Sequence, residues 1–243
     1  MRCLMAKAKS KKREPKIQVT RDGPYLVSGN LPLCKEIIAP DGSGVPAKWK
    51  KGEKYPRRET YALCRCGHSS GPPFCTGKHS EAGFEGTETA TFRKYLPQSK
   101  KITGDDIVLT DVPRLCALAR FCEKGGGIWK LSYESKNPKS KKLAIQEARD
   151  CPSGRLVIWD RKTRKPIEPK LKPSISLVED PQMNVSGPLW VKGGVPIISC
   201  EGKKYETRNR VTLCRCGASH NKPFCDGTHT RAGFNDGDKR LKK

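Results

Sequence analysis

Eight side chains carry the chemistry this sequence offers. Cys64, Cys66, Cys75 and His79 are spaced as C-x-C, eight residues, then C-x3-H, and Cys214, Cys216, Cys225 and His229 repeat that spacing 150 residues later. Each set brings four soft or borderline donors within sixteen residues. Thiolates select zinc, Cu(I) and iron-sulfur centres, so the donors narrow the metal without fixing it. Structural zinc sites generally use C-x2-4-C knuckles. The tighter C-x-C places two neighbouring thiolates at one strand end, which suits sharing one iron of a binuclear cluster. A neutral imidazole in place of a thiolate leaves a centre less negative and easier to reduce. It also makes the centre acid-sensitive, because acid competes with the metal for the ring nitrogen. Single cysteines are more often small buried apolar residues than ligands, but two complete copies are not explained that way.

The elements that must position these residues come as an internal repeat. GEKYPRRETYALCRCGHSSGPPFCTGKHSEAGF at Gly52–Phe84 returns as GKKYETRNRVTLCRCGASHNKPFCDGTHTRAGF at Gly202–Phe234. Ahead of each lies a second echo, GPYLVSGNLPL from Gly23 and GPLWVKGGVPI from Gly187, so the first copy carries an insertion near Ile37–Lys51. Tyr25–Val27, Tyr61–Leu63, Leu189–Val191 and Arg210–Leu213 read as short strands, with the cysteine loops following directly. Asp226 or Thr76 can cap a short helix carrying the following Gly and His, whose amides would face an anionic centre. Between the copies, Lys141–Asp150 has helical apolar spacing and Arg155–Trp159 reads as a strand. Pro166, Pro169 and Pro173 mark an extended return. This gives a basic disordered tail over 1–17, a first domain over 18–86, a middle region with linker over 87–179 and a second domain over 180–243.

Composition bounds the rest. Mean hydropathy is -0.70 with 35% apolar residues, too little for one large core, so several small stapled units are expected. No apolar run approaches a membrane span and the start lacks a secretory signal, which leads us to expect a cytoplasmic protein without membrane contact. Thiols there stay reduced, so clustered cysteines read as metal ligands rather than disulfides. The formal charge of +24 attracts acidic partners of several kinds. A zinc-binding nucleic-acid module is the alternative it supports. Aromatic residues at 7% are too few for a base-stacking ladder, which disfavours nucleic acid. No GxSxG, P-loop, Rossmann fingerprint or HExxH is present, so an enzyme is not expected.

The stretch LCRCGASHNKPFCDGTH, Leu213–His229, resembles the signature of the CDGSH iron-sulfur family (mitoNEET type) across its whole motif. The first copy is similar, with Thr76 and Lys78 replacing the Asp and the small hydroxyl residue. The resemblance implies two [2Fe-2S] clusters, each held by three Cys and one His: Cys64 and Cys66 inward, Cys75 and His79 outward, and likewise Cys214 and Cys216, Cys225 and His229. Single-motif members resemble strand-swapped homodimers. A tandem chain would then be a monomer with an internal pseudo-dimer, its GP-led strands pairing across copies. The implied fold is α+β and strand-rich: two small CDGSH-type domains under a β-sheet cap, plus a small middle domain. Lys54 and Lys204 match a basic position near the cluster in that family. The implied function is electron transfer, cluster transfer or redox sensing, with a redox protein or apo-acceptor as partner, acidic by charge complementarity.

In the middle, Cys116, Cys122 and the CPSG opened by Cys151 resemble small single-cluster ferredoxins. Three thiolates could hold a [3Fe-4S] cluster, a [4Fe-4S] cluster needs a fourth ligand, and an unfilled site with buried cysteines is equally open. Cys3, Cys34 and Cys200 read as free or buried thiols, and His68 and His220 have no equivalent between copies.

Overall fold

The computed structural model describes residues 13–241; Cys3 and most of the expected basic tail lie outside them. The chain is strand-rich, as expected. Two sheets are built from the two copies, the second copy lending one strand to the first sheet and the first copy two strands to the second. The first sheet holds β1 (Lys16–Val19), β2 (Tyr25–Ser28) and β5 (Thr60–Leu63), with β11 (Ile197–Ile198) from the second copy at its edge, in the order β11-β1-β2-β5. The second holds β9 (Ser174–Asp180), β10 (Val185–Lys192) and β12 (Arg210–Leu213), together with β3 (Leu33–Pro40) and β4 (Pro46–Lys54) from the first copy.

The exchange is reciprocal in register. Ile17 of β1 lies opposite Ile197 in a parallel pair, and Ile175 of β9 lies opposite Leu33 in another. Leu33 and Ile197 end the two GP-led echoes. The expectation that the GP-led strands themselves pair across copies is corrected: β2 pairs with β1 and β5, β10 with β9 and β12, and only the echoes' last residues cross over. The reason lies in the turn. Gly29 and Gly193 take φ of 85° and 75°, and a methyl group on either would fall 2.4 Å from Pro15 or Pro173, so the chain leaves its own sheet there.

Alternation explains the short strands. In β2, Tyr25 and Val27 are buried while Leu26 faces out, and in β5 Tyr61 and Leu63 point inward. Together with Ile17, Val19, Ile175, Leu177, Leu189, Val191 and Leu213 they form one core shared by both copies. β1 lies ahead of the first GP-led echo and β9 ahead of the second, and both belong to these sheets. Each pairs locally with the next strand, β1 with β2 and β9 with β10, and across the copies with β11 or β3.

The first-copy insertion is the β3–β4 hairpin, and it reaches the middle region. Trp49 on β4 packs against Phe121 and Trp190 with ring centroids 4.7 and 4.8 Å away, and its indole N–H donates to the Asp150 carbonyl at 3.1 Å. The middle region is a three-stranded antiparallel sheet of β6 (Lys100–Thr103), β7 (Ile107–Asp111) and β8 (Leu156–Asp160). Its core of Ile107, Leu109, Ile158, Leu131 and Ala148 includes residues of the two helices between β7 and β8, Ile128–Tyr133 and Pro138–Asp150. Asn137 caps the longer helix by accepting from the amides of Lys139 and Ser140, and the helix ends at Cys151. Among the described residues no helix is long and apolar enough to cross a membrane.

Candidate metal centres

Each ligand loop is closed on its strand by backbone hydrogen bonds. The Cys64 amide donates to the Pro73 carbonyl at 2.9 Å and the Cys75 amide to Ala62 at 3.0 Å; Cys214 with Pro223 and Cys225 with Thr212 repeat this at 2.9 Å each. Ser69 and Ser219 hydroxyls, five residues before, donate to the Phe74 and Phe224 carbonyls. Cys75 and Cys225 are thereby folded back beside the C-x-C segment. Gly77 and Gly227, at φ 85° and 88°, then start one-turn helices, Lys78–Glu81 and Thr228–Arg231, that carry His79 and His229. The N-caps are these glycines rather than the expected Asp226 and Thr76: Asp226, one residue earlier, accepts from the Thr228 amide at 3.0 Å, and Thr76 accepts from Ser70.

Within each copy the donors stand in two pairs. Cys64 and Cys66 have their sulfurs 3.7 Å apart, as do Cys214 and Cys216. Cys75 Sγ and His79 Nδ1 are 3.4 Å apart, as are Cys225 Sγ and His229 Nδ1. With metal-sulfur bonds of about 2.3 Å and metal-nitrogen bonds of about 2.0 Å, a tetrahedral centre has ligand-ligand edges of about 3.8 and 3.5 Å. Each pair therefore fits one edge of one tetrahedral metal. Among the described residues no three or more His, Cys, Asp or Glu side chains are arranged to hold a single ion. The residues fit a binuclear group, two donors to each metal.

Amides point at the sulfurs: His68 N–H to Cys66 at 3.4 Å, Gly77 to Cys75 at 3.5 Å and Gly227 to Cys225 at 3.4 Å, favouring thiolates. Against them, burial pushes the Cys66 thiol up to about 11 and Cys225 well above its ordinary value, whereas the Cys216 thiol bonded to Cys214 holds Cys214 down at about 6. Burial, then the charge of Arg215, pushes His229 down to about 4, keeping its ring neutral and able to ligate. The two sites differ in cover. His229 is 5% exposed and Cys225 3%, while His79 and Cys75 are half-buried.

The arginine between the two cysteines, Arg65 or Arg215, points to the other side of the strand and ties it to the echo turn. Arg65 Nε donates to the Gly23 carbonyl at 2.9 Å, and Arg215 Nε to Gly187 at 2.6 Å. Both arginines are buried. The identical CRCG in both copies was the available signal. A second anchor had none: the Tyr25 hydroxyl of the first copy lies 2.7 and 3.0 Å from the Cys214 and Pro223 carbonyls of the second. The cysteine loops also meet back to back, since a methyl group on Gly67 would fall 2.9 Å from the Cys216 carbonyl oxygen, and one on Gly217 2.5 Å from that of Cys66.

Cys116, Cys122 and Cys151 line one cavity in the middle region, with Ser153 and Arg155. Burial, then the neighbouring Cys151 and Cys116, pushes Cys122 up to about 12. Cys34 instead contacts the Ser176 hydroxyl at 3.2 Å, and Cys200, Lys54 and Lys204 are exposed. Residues 22–80 and 186–230 match the family described as iron-binding zinc finger, CDGSH type, and residues 102–161 match the family described as divergent 4Fe-4S mono-cluster. No curated protein and no solved structure matches the chain.

Proposed function

We propose that this chain, an iron-sulfur protein in which two CDGSH-type iron-binding domains flank a divergent mono-cluster segment, holds one [2Fe-2S] cluster in each repeat by three Cys and one His and works as an electron or cluster carrier in the cytoplasm. The observation that carries this reading is the arrangement of donors in pairs, two edges of 3.7 and 3.4 Å per copy. When bound, such a cluster supplies a reversible one-electron couple. Cys64 and Cys66, or Cys214 and Cys216, would hold one metal of the cluster. Cys75 with His79, or Cys225 with His229, would hold the other, where a neutral imidazole would leave the centre less negative than a fourth thiolate. The buried arginines keep each C-x-C strand fixed while the centre changes charge. The half-buried first site is where an acidic redox protein or apo-acceptor would approach, complementing the charge of +24. The middle cavity, with three cysteines beside Arg155, would hold a third cluster.

The reciprocal parallel pairs Ile17–Ile197 and Ile175–Leu33 support an intrachain pseudo-dimer, in which one chain satisfies both exchanges and remains a monomer. An obligate two-chain particle in light scattering would contradict it. The net charge favours a second reading, a zinc-binding nucleic-acid module, but a mononuclear site needs four donors converging on one ion. Iron, zinc and acid-labile sulfide analysis of the purified protein tests both. We expect a coloured protein with about four irons and four sulfides per chain from the repeats, and more with the middle cavity filled. A colourless zinc protein that binds duplex DNA overturns the proposal.

A further inference from the structure

The two repeat sites are not equivalent, and the difference is made by one segment of the middle region. At the second site a methyl group on Gly227 would fall 2.6 Å from Leu118 Cγ and 3.1 Å from the carbonyl oxygen of Cys116; at the matching Gly77 it would meet nothing within 4 Å. Two further contacts hold the same segment there. Asn221 Nδ2 donates to the Arg114 carbonyl at 3.3 Å, and Arg120 pairs with Asp180 at 2.5 Å. Leu118 and Arg120 stand at φ of 49° and 60°, a conformation that costs a side-chain-bearing residue and is sustained by this docking. The first copy cannot receive the segment in the same way: Gly71 stands where Asn221 donates, and Lys78 where the buried Thr228 lies.

The docked residues are themselves parts of the two sites. Gly227 lies between the ligand positions Cys225 and His229 and donates its amide to Cys225 Sγ at 3.4 Å. Cys116 lines the three-cysteine cavity. From one sulfur to the other the route is Cys225 Sγ, the Gly227 amide and α-carbon, one van der Waals step, then the Cys116 carbonyl and side chain. On the reading that both sites hold clusters, we propose that the middle cavity and the second repeat site form one electron-exchanging pair inside the chain, leaving the half-buried first site to meet other molecules. The exchange moves one electron: one cluster is oxidised as the other is reduced, no bond is made or broken and no proton moves. A one-electron donor, dithionite in the assay and a reduced flavoprotein or ferredoxin-type carrier otherwise, replenishes the pair.

The test is electron paramagnetic resonance on the full chain during reductive titration, with the repeat signals assigned by His79→Cys and His229→Cys, each of which shifts only its own signal. In the unmodified protein the second-site signal should be broadened and harder to saturate with microwave power than the first, because a second paramagnet lies close by. Cys122→Ser should lower the iron count and bring the second-site signal to the saturation behaviour of the first, while the first stays as it was. A lowered iron count with the second-site signal unmoved, or a change in the first-site signal instead, overturns the pairing while leaving the cluster assignments standing. An iron count that does not fall overturns the occupied middle cavity and the pairing with it. If Cys122→Ser does not fold, the comparison of the two signals in the unmodified protein decides: equal saturation refutes the pairing.

Discussion

Replacing the arginine of each C-x-C segment by methionine should separate the two copies, because the same residue has different company. Arg215 is buried with two carboxylates: Glu179, fully buried, lies 2.7 Å away and Asp236 is paired on the other side of the guanidinium. Among the described residues Arg65 has no acid partner. It donates to the Gly23 and Thr20 carbonyls and lies 5.7 and 5.1 Å from the Tyr25 and Phe84 rings. Gly86 stands where the second copy has Asp236. Arg65→Met loses charged hydrogen bonds, about 1.5–3 kcal/mol. Arg215→Met leaves buried carboxylates without their cation, about 3–5 kcal/mol. With a urea slope of about 2–3 kcal/mol/M, the difference of about 2 kcal/mol separates the unfolding midpoints by about 1 M. The acidity dependence has a definite sign. Burial already raises Glu179, and Arg215 is what pulls Glu179 and Asp236 down. Without it Glu179 lies further above its unfolded value and Asp236 is no longer held down by the guanidinium, so the folded state binds more protons than with Arg215 in place and the loss of stability shrinks as pH falls. The deficit of Arg215→Met relative to Arg65→Met should therefore shrink on acidification, and adding Glu179→Gln should recover part of it at neutral pH. Circular dichroism through urea gives the midpoints. Equal midpoints for the two variants, or a deficit that widens in acid, would refute the reasoning.

Three further outcomes are expected. Tyr25→Phe strips the hydroxyl from two buried carbonyls of the second loop, so it should cost about 1–3 kcal/mol and speed iron loss to a chelator at the second site, leaving the first at its former rate. Glu147 is 2% exposed, has neither carboxylate oxygen hydrogen-bonded, and is pushed up to about 8 by burial. Its folded value lies above the unfolded one, so it lowers stability progressively as pH rises between about 4.5 and 8, and the urea midpoint advantage of Glu147→Gln should grow across that window. Acid release of iron should be biphasic in stopped-flow absorbance, the fast phase belonging to the half-buried His79 site and the slow one to the site of the 5%-exposed His229; His229→Cys should slow or remove only the slow phase, and a single phase would show the two covers to be equivalent.

What the sequence determined by itself was local. The donor spacing, the 150-residue repeat, strands around Tyr25, Tyr61 and Arg210, the helix ending at Cys151 and the strand after it could all be read because alternation, capping and turn chemistry act over a few residues. The four donors of each copy were legible for the same reason: a loop closed by its own backbone bonds brings Cys75 and Cys225 beside the C-x-C strand whatever surrounds it. Tertiary structure alone decided the rest. Lys16–Val19 and Ser174–Asp180 each pair with the next strand in sequence, but what joins them to the other copy is a parallel partner more than a hundred positions away, Ile197–Ile198 or Leu33–Pro40. The echoes were expected to pair directly, yet a left-handed glycine at 29 and 193 sends each chain across to the other sheet. The inequality of the two sites came from Arg114, Leu118 and Arg120, which meet Asn221, Gly227 and Asp180 through space. Near-identical motifs thus acquire different burial, because burial depends on what a distant segment lays over a site.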